Sequence, residues 1–276
     1  MQLHAPLPPD RTVEQVWNHY QVEKALAARL KAADREGRRA IYATMYTELF
    51  AQVPDHPRLT RRSSEALTRA ANFIKYQLVK PFLTPETVFV EIGPGDCRFA
   101  AEMAGRVRQV IGIDISDQSG QQPQLPANFR LVVYDGYHLE LSEVADVVFS
   151  DQLVEHLHPD DVQLHFELMR RLLRPGGRYV FRTPHAYDGP HDVSRYFADE
   201  PEGFHLKEWT YGELAALLGR LGYTRLEGLF RIKGRYFRLP LAAFTAVEQI
   251  ARWLPRPARK TLAYWLIREI ALAAQK

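Results

Sequence analysis

Five runs of the chain, 87–92 (TVFVEI), 107–113 (VRQVIGI), 129–133 (FRLVV), 144–149 (VADVVF) and 177–182 (GRYVFR), are rich in β-branched and aromatic residues and apolar on consecutive positions. A strand with one wet face alternates apolar and polar residues, whereas a strand that is apolar throughout has to be covered on both faces. Between the last two runs, 160–173 has helical spacing, opening at His158-Pro159-Asp160 and stopped by Arg174-Pro175-Gly176-Gly177. Strands and helices in alternation predict an α/β fold: a doubly wound, mostly parallel sheet with helices on both faces. Helix 210–221 then leads to 223–230 and 234–238, an antiparallel pair at the sheet edge that brings the expected strand count to seven. The stretch 117–128 (DQSGQQPQLPAN) is too rich in Gln, Pro and Gly for a long helix, so one crossover is expected to be a loop.

The flanks read differently. From Thr12 to Val79 apolar residues recur at helical spacing, interrupted at VPDHP (53–57) and ended by Pro81, which predicts an N-terminal cap of two or three helices. The tail, 240–274, reads as two amphipathic helices divided by Pro255 and Pro257. The expected division is therefore 1–80 as cap, 81–239 as the α/β domain and 240–276 as tail. With 276 residues, 46% hydrophobic and 25% charged, the chain can bury a full core. A net charge of +3 suits acidic partners but is too small to indicate nucleic acid. The single cysteine, Cys97, excludes a disulfide framework and a cysteine-based zinc site and suits a reducing compartment. MQLHAPLPPD shows no secretory signal, and Glu248, Arg252, Arg268 and Glu269 interrupt the apolar stretches before the ~18 residues of a spanning helix. The expected location is cytoplasmic.

The stretch with most chemical content is VFVEIGPGDCRFA (88–100). Gly93 and Gly95 let the backbone turn tightly and approach a ligand. A dinucleotide fingerprint would need Gly or Ala where this chain has Arg98, and Glu91 would repel a pyrophosphate while suiting a ligand of positive charge. Two further strands end in acids, Asp114 in GIDIS and Asp135 in YDG, so three successive strands deliver three carboxylates to one end of the sheet. The ordered set EIGPG, GIDIS, YDG, FSDQLVEHL, LLRPGG and FRTPH resembles the class I S-adenosylmethionine-dependent methyltransferases over roughly residues 70–230. The resemblance implies a Rossmann-like fold and S-adenosyl-L-methionine as cofactor. It implies that Glu91, Gly93 and Gly95 hold the methionine end and that Asp114, followed by Ile115, binds the ribose. It further implies Asp135 with Gly136 at the adenine and Ser150 with Asp151 along the methionine part. Cys97 stands where many members have a third glycine, and packing is its expected role.

Methyl transfer from a sulfonium is an in-line displacement in which the protein mostly aligns the acceptor, and a base is needed only where the acceptor must lose a proton. His156, in the loop after the fourth strand, is the first catalytic candidate, for a hydroxyl acceptor. His185 is the second, in the long connection 184–197 (PHAYDGPHDVSRYF), where Tyr187, His191 and Arg195 are candidate acceptor-recognition groups. Gln152-Leu-Val-Glu155-His156 is similar to the metal-binding pattern of the ubiquinone-pathway O-methyltransferases and the small-RNA 3'-end methyltransferases, and His205 resembles a later histidine that the RNA group adds. Gln152 replaces the first acid of that pattern, which weakens a hard-cation site, so no metal is expected. Cations cluster at Arg58, Arg61, Arg62 and Arg69, at Arg231, Lys233, Arg235 and Arg238, and at Arg252, Arg256, Arg259 and Lys260. They fit solvated helix faces better than a groove for RNA or a phosphorylated glycan. Phe244, Trp253, Trp265 and Ile267 in the tail suit packing on the domain, a homodimer interface or peripheral contact with an anionic membrane surface.

The reading that unites these features is a methyltransferase acting on a small-molecule, glycan or lipid-precursor acceptor, at oxygen. Two alternatives stay open: a metal-assisted RNA methyltransferase, and a non-catalytic S-adenosylmethionine-binding regulatory or assembly module.

Overall fold

The computed structural model describes residues 3–121 and 125–276; the side chains of Arg61 and Arg62, and residues 122–124 of the expected crossover loop, lie outside the described residues. Four helices come first: α1 (Val13–Ala32), α2 (Arg35–Gln52), α3 (Pro57–Ser63) and α4 (Glu65–Val79). Their starts are local chemistry. Thr12 and Gln15 form a capping box, each side chain accepting the other's backbone N–H, and Asp34 and Ser64 cap α2 and α4. The cap has one helix more than expected because Pro57 starts a short helix after VPDHP and Ser64 then starts another.

The sheet is built from β1 (Val88–Ile92), β2 (Gln109–Asp114), β3 (Phe129–Val133), β4 (Ala145–Asp151), β5 (Leu173–Pro184), β6 (Thr224–Ile232), β7 (Arg235–Pro240) and β8 (Glu269–Gln275). Its spatial order is β3-β2-β1-β4-β5-β8-β6-β7. The first five strands pair in parallel, while β8 runs antiparallel to both β5 and β6, and β6 antiparallel to β7. The other helices are α5 (Arg98–Ala104), α6 (Val162–Leu172), α7 (Tyr211–Arg220), α8 (Leu241–Arg252) and α9 (Arg256–Leu266).

Among the described residues the sheet thus has eight strands where seven were expected. The tail forms its two helices, but the last segment of the chain is a strand inserted into the middle of the sheet. Ile270, Leu272 and Ala274 of β8 pack on one face and Ala271 and Ala273 on the other. That alternation is of period two, yet alanine, a good helix former, fills most of it. Both faces are covered: α6, α7 and α8 lie over Val88, Val90 and Ile92, whereas α4 and α5 lie over Phe89 and Phe149. Trp253 and Trp265 of the tail are exposed, and Phe244 is buried. Among the described residues no helix is long and apolar enough to cross a membrane.

The cap is docked rather than tethered. Leu26, Leu30, Tyr42, Met45 and Leu49 of α1 and α2 form one apolar cluster with Tyr137, Phe204 and Leu206. Arg38 of α2 holds Asp161, just before α6, by two hydrogen bonds of 2.7 Å, and the Tyr137 hydroxyl donates to the same carboxylate at 2.8 Å. A bidentate, buried Arg–carboxylate pair fixes orientation as well as contact.

Candidate active site

In the order β3-β2-β1-β4-β5 the chain builds outward from β1 through β2 to β3 and then crosses back past β1 to β4 and β5, so the strand order reverses at β1 and a crevice opens there beyond the carboxyl ends. A cavity of about 260 Å³ lies there, roofed by the cap. Gly93 and Gly95 form its floor with φ of +68° and +57°, in the left-handed region where a side chain is strained. A Cβ on Gly93 would also come within 3.2 Å of Leu153.

Strand parity decides which expected residues reach this space. Asp114, at the tip of β2, is on the wall; Oδ2 accepts the Gly95 N–H at 3.0 Å and Oδ1 the Ile115 and Ser116 N–H at 2.7 and 3.3 Å. Burial raises its pKa against those three bonds, and each carboxylate oxygen has two lone pairs, so at Oδ2 one stays open for a ligand hydroxyl. Ile115, Gly136 and Asp151 also line the wall. Asp151 is held by Arg182 through bonds of 2.7 and 3.0 Å.

The remaining expected residues stand off the wall. Glu91 alternates with Val90 and Ile92, so it shares Phe89's face under α4, where Lys75 donates to Oε1 at 3.2 Å. Its Oε2 is buried without a partner, and burial raises its pKa. Ser150 points to the opposite face and bonds the Tyr179 hydroxyl at 2.7 Å. Asp135 turns outward; its carboxylate takes the His138 ring at 2.7 Å and Arg39 at 3.2 Å, with pKa pulled down to about 2 despite some burial. Of the three strand-end carboxylates, Asp114 alone is in the wall. Cys97 is fully buried, and burial, with Glu91 and Asp114 nearby, pushes its thiol up to about 12, so it packs and does not react.

His156 lines the cavity. Its Nδ1 lies 2.9 Å from the Phe204 carbonyl, which can only accept, so Nδ1 carries the proton and Nε2 is left with a free lone pair. Beside it, His205 donates Nδ1–H to Glu208 at 2.7 Å, and this partner, with Glu155 and Asp192, overcomes burial and raises it to about 9. Burial and the His205 charge lower His156 to about 3. Glu155 is fully buried; Thr183 donates to Oε2 at 2.8 Å, Oε1 has no partner, and burial raises the carboxyl to about 7. One ligand atom each from Glu155, His156 and His205 falls within 4.8 Å of the others. With both Nδ1 atoms engaged, the ring atoms left for a cation or a shared proton are the Nε2.

His185 does not reach the cavity wall. It is fully buried, accepts the Tyr187 N–H on Nδ1 at 3.1 Å and donates from Nε2 to Glu248 of α8 at 2.7 Å. His191 is tied to Asp188 at 3.0 Å, Arg259 lies over the Tyr187 ring, and Arg195 lies over Tyr196. The connection 184–197 thus anchors the tail through His185 and Tyr187, while His191, Asp192 and Arg195 bond within the connection and to residues 203–208. What sequence reading missed is the cap's contribution to the wall: Tyr42, Tyr46, Arg58 and Lys75. Only Arg58 had been noticed, as one of a cluster of cations.

Residues 90–181 match a family model described as "Methyltransferase domain". No protein of curated function matches the chain by sequence. Among solved structures, the chain is similar to Burkholderia thailandensis 1,6-didemethyltoxoflavin-N1-methyltransferase with bound 1,6-didemethyltoxoflavin and S-adenosylhomocysteine. The identity is 18%, with 88% of this chain and 91% of that chain covered and a TM-score of 0.55. Haemonchus contortus phosphoethanolamine N-methyltransferase 1, in complex with phosphoethanolamine and S-adenosylhomocysteine, is 15% identical over 88% of this chain and 50% of that chain, TM-score 0.54. The [4+2]-cyclase SpnF is 18% identical over 75% of this chain and 81% of that chain, TM-score 0.50. At such identities the likeness is one of fold.

Proposed function

We propose that this chain, whose residues 90–181 form a class I S-adenosylmethionine-dependent methyltransferase domain, transfers a methyl group to oxygen on an acceptor lodged between the glycine turn and the cap. The acceptor class is a small molecule or a glycan or lipid precursor. The observation that carries this reading is one shared cavity, lined by Asp114 and the Gly93–Gly95 turn together with Tyr46, Arg58 and His156, whose Nε2 is free.

The residues present fit the cofactor. The unpartnered Oε2 of Glu91 next to the turn suits an ammonium, directly or through water, and Asp114 keeps acceptor capacity for ribose hydroxyls. Gly93 and Gly95 keep side chains out of the space a nucleoside would need. S-adenosylmethionine, when bound, supplies a methyl on a sulfonium, an already activated leaving group. The protein's part is then alignment and exclusion of water, both served by a roofed cavity. At about 3, His156 is neutral near pH 7 and a weak base. It therefore orients an acceptor O–H through Nε2 without stripping its proton beforehand; the oxygen turns strongly acidic as the methyl bonds to it, and Nε2 then takes the proton and passes it to water, its basicity kept low by the protonated His205.

Calorimetric titration with S-adenosylhomocysteine tests the cofactor half. Binding is expected, and Asp114→Ala should weaken it roughly 10- to 100-fold through lost hydroxyl contacts; no heat at millimolar ligand would remove the reading. Radiolabelled donor in cell extract tests the transfer, and His156→Ala should lower labelling while leaving S-adenosylhomocysteine affinity in place.

A further inference from the structure

Four arginine and lysine side chains line the cavity, and three of them have carboxylate partners. Lys75 donates to Glu91 at 3.2 Å, Arg182 to Asp151 at 2.7 Å, and Arg98 lies 3.6 Å from Asp96. Arg58 is different: among the described residues no carboxylate lies within ion-pair distance of it, and its guanidinium meets Tyr46, 5.0 Å from the ring centroid and in reach of the hydroxyl. The carboxylates that interact with it electrostatically are Glu23, Glu155 and, more distantly, Asp114, which the cofactor pocket proposed above assigns to the ribose. Glu23 is saturated by His19 at 2.8 Å and the Phe204 N–H at 3.2 Å, and Glu155 is protonated in part near neutral pH.

Arg58 is also held in place. Its own N–H donates to His56 Nδ1 at 3.1 Å, at the start of α3. A guanidinium withdrawn from water beside Tyr46, with no carboxylate of its own chain at ion-pair distance, is costly to keep, and the tyrosine contact returns only part of that cost. A planar fork with free donors at a cavity wall is what recognition of a carboxylate or phosphate requires.

We infer that Arg58 is a specificity-determining residue and that the acceptor carries an anionic group, a carboxylate or a phosphate, which docks on its guanidinium with the acceptor body against Tyr46. This rests on the cofactor pocket proposed above, and it narrows the acceptor from any small molecule to an acidic one. Neutral sugars and uncharged lipids are excluded by it.

The test uses the full chain saturated with S-adenosylhomocysteine and three probes: 4-hydroxybenzoate, its neutral methyl ester, and phenyl phosphate. One or both anions should bind at least about tenfold more tightly than the ester. Arg58→Gln should erase that preference, Arg58→Lys should restore part of it, and S-adenosylhomocysteine affinity should stay within about twofold in both variants. Which anion binds better separates a carboxylate from a phosphate acceptor. Equal binding of acids and ester by the unaltered protein, or no anion binding at all, overturns the inference without reference to any variant. A large loss of S-adenosylhomocysteine affinity in Arg58→Gln, with acid binding kept, assigns the guanidinium to the cofactor's carboxylate and overturns it too. Failure of the unaltered protein to bind S-adenosylhomocysteine instead removes the cofactor pocket itself, so the two readings fail separately.

Discussion

Two clusters of the same composition, two histidines and a glutamate, sit on either side of Phe204: His19, Glu23 and His56 in the cap, and Glu155, His156 and His205 at the cavity. The Phe204 N–H donates to Glu23, and its carbonyl accepts from His156. In the cap, Nδ1 of His19 faces Arg11 at 3.0 Å and Nδ1 of His56 takes the Arg58 N–H, so both rings accept there and turn Nε2–H toward Glu23. At the cavity both Nδ1 atoms donate, and the glutamate is left with an empty oxygen. The cap cluster is a closed knot, whereas the cavity cluster is open toward a cation, a proton or a substrate hydroxyl. The comparison teaches that residue type alone does not distinguish a fastener from a site; the partner on the second ring nitrogen does.

The same substitution should therefore have unequal effects. Glu23→Gln puts amide donors where two donors already bond and His56 Nε2 lies 3.7 Å away, and should cost about 3 kcal/mol or more. Glu155→Gln replaces a carboxylate that is costly to ionise and half unsatisfied, and should cost under about 1 kcal/mol at pH 8 or stabilise. Urea midpoints of the two variants check this, and equal losses would erase the distinction.

Smaller, and opposite in direction, are the pH limbs. Glu155 and His205 are held above their ordinary values, at about 7 and about 9, so the stability they contribute is full in acid and is lost as pH rises through those values. Glu23, buried but hydrogen-bonded by His19 with His56 beside it, lies below the usual 4.5, so its contribution is present above that value and lost as pH falls beneath it. His156, also lowered, adds to the acid loss. Thermal midpoints across pH should show Glu155→Gln flattening the limb between about 4.5 and 7, with Glu23→Gln flattening part of the acid limb. A Glu155→Gln profile that parallels the unaltered protein would mean that the cavity carboxyl is ionised after all.

Much of this was legible one strand at a time. The glycine turn, the mostly parallel sheet and the places of Asp114 and His156 follow from local signals: a turn of glycines after an apolar strand, strands alternating with helices, and loops at strand ends. The face a strand-end residue adopts was not legible, because alternation gives parity but not which layer lies over it. Glu91 and Ser150 end adjacent strands and point to opposite layers. The last strand was hidden by its alanines, whose helix propensity masks a two-residue period until β5 and β6 flank it. His185 looked catalytic in a polar loop, and only the approach of Glu248, far along the chain, makes it a buried anchor. Arg58 was lost among surface cations for the same reason, since nothing local says that α3 will roof a cavity.

The finest test of the two clusters is the ring proton itself. Nitrogen-15 correlation spectra of the imidazoles should show His19 and His56 with the proton on Nε2, His156 with it on Nδ1, and His205 doubly protonated at pH 7. Chelation by EDTA should alter none of these signals, because the space between Glu155, His156 and His205 is read here as holding a proton on His205 rather than a metal. Should His205 lose its second proton signal and regain it only on chelation, a bound cation occupies that space. The low basicity of His156 would then come from the cation's charge, and the open cluster would differ from the closed one by what it holds as well as by which way its rings face.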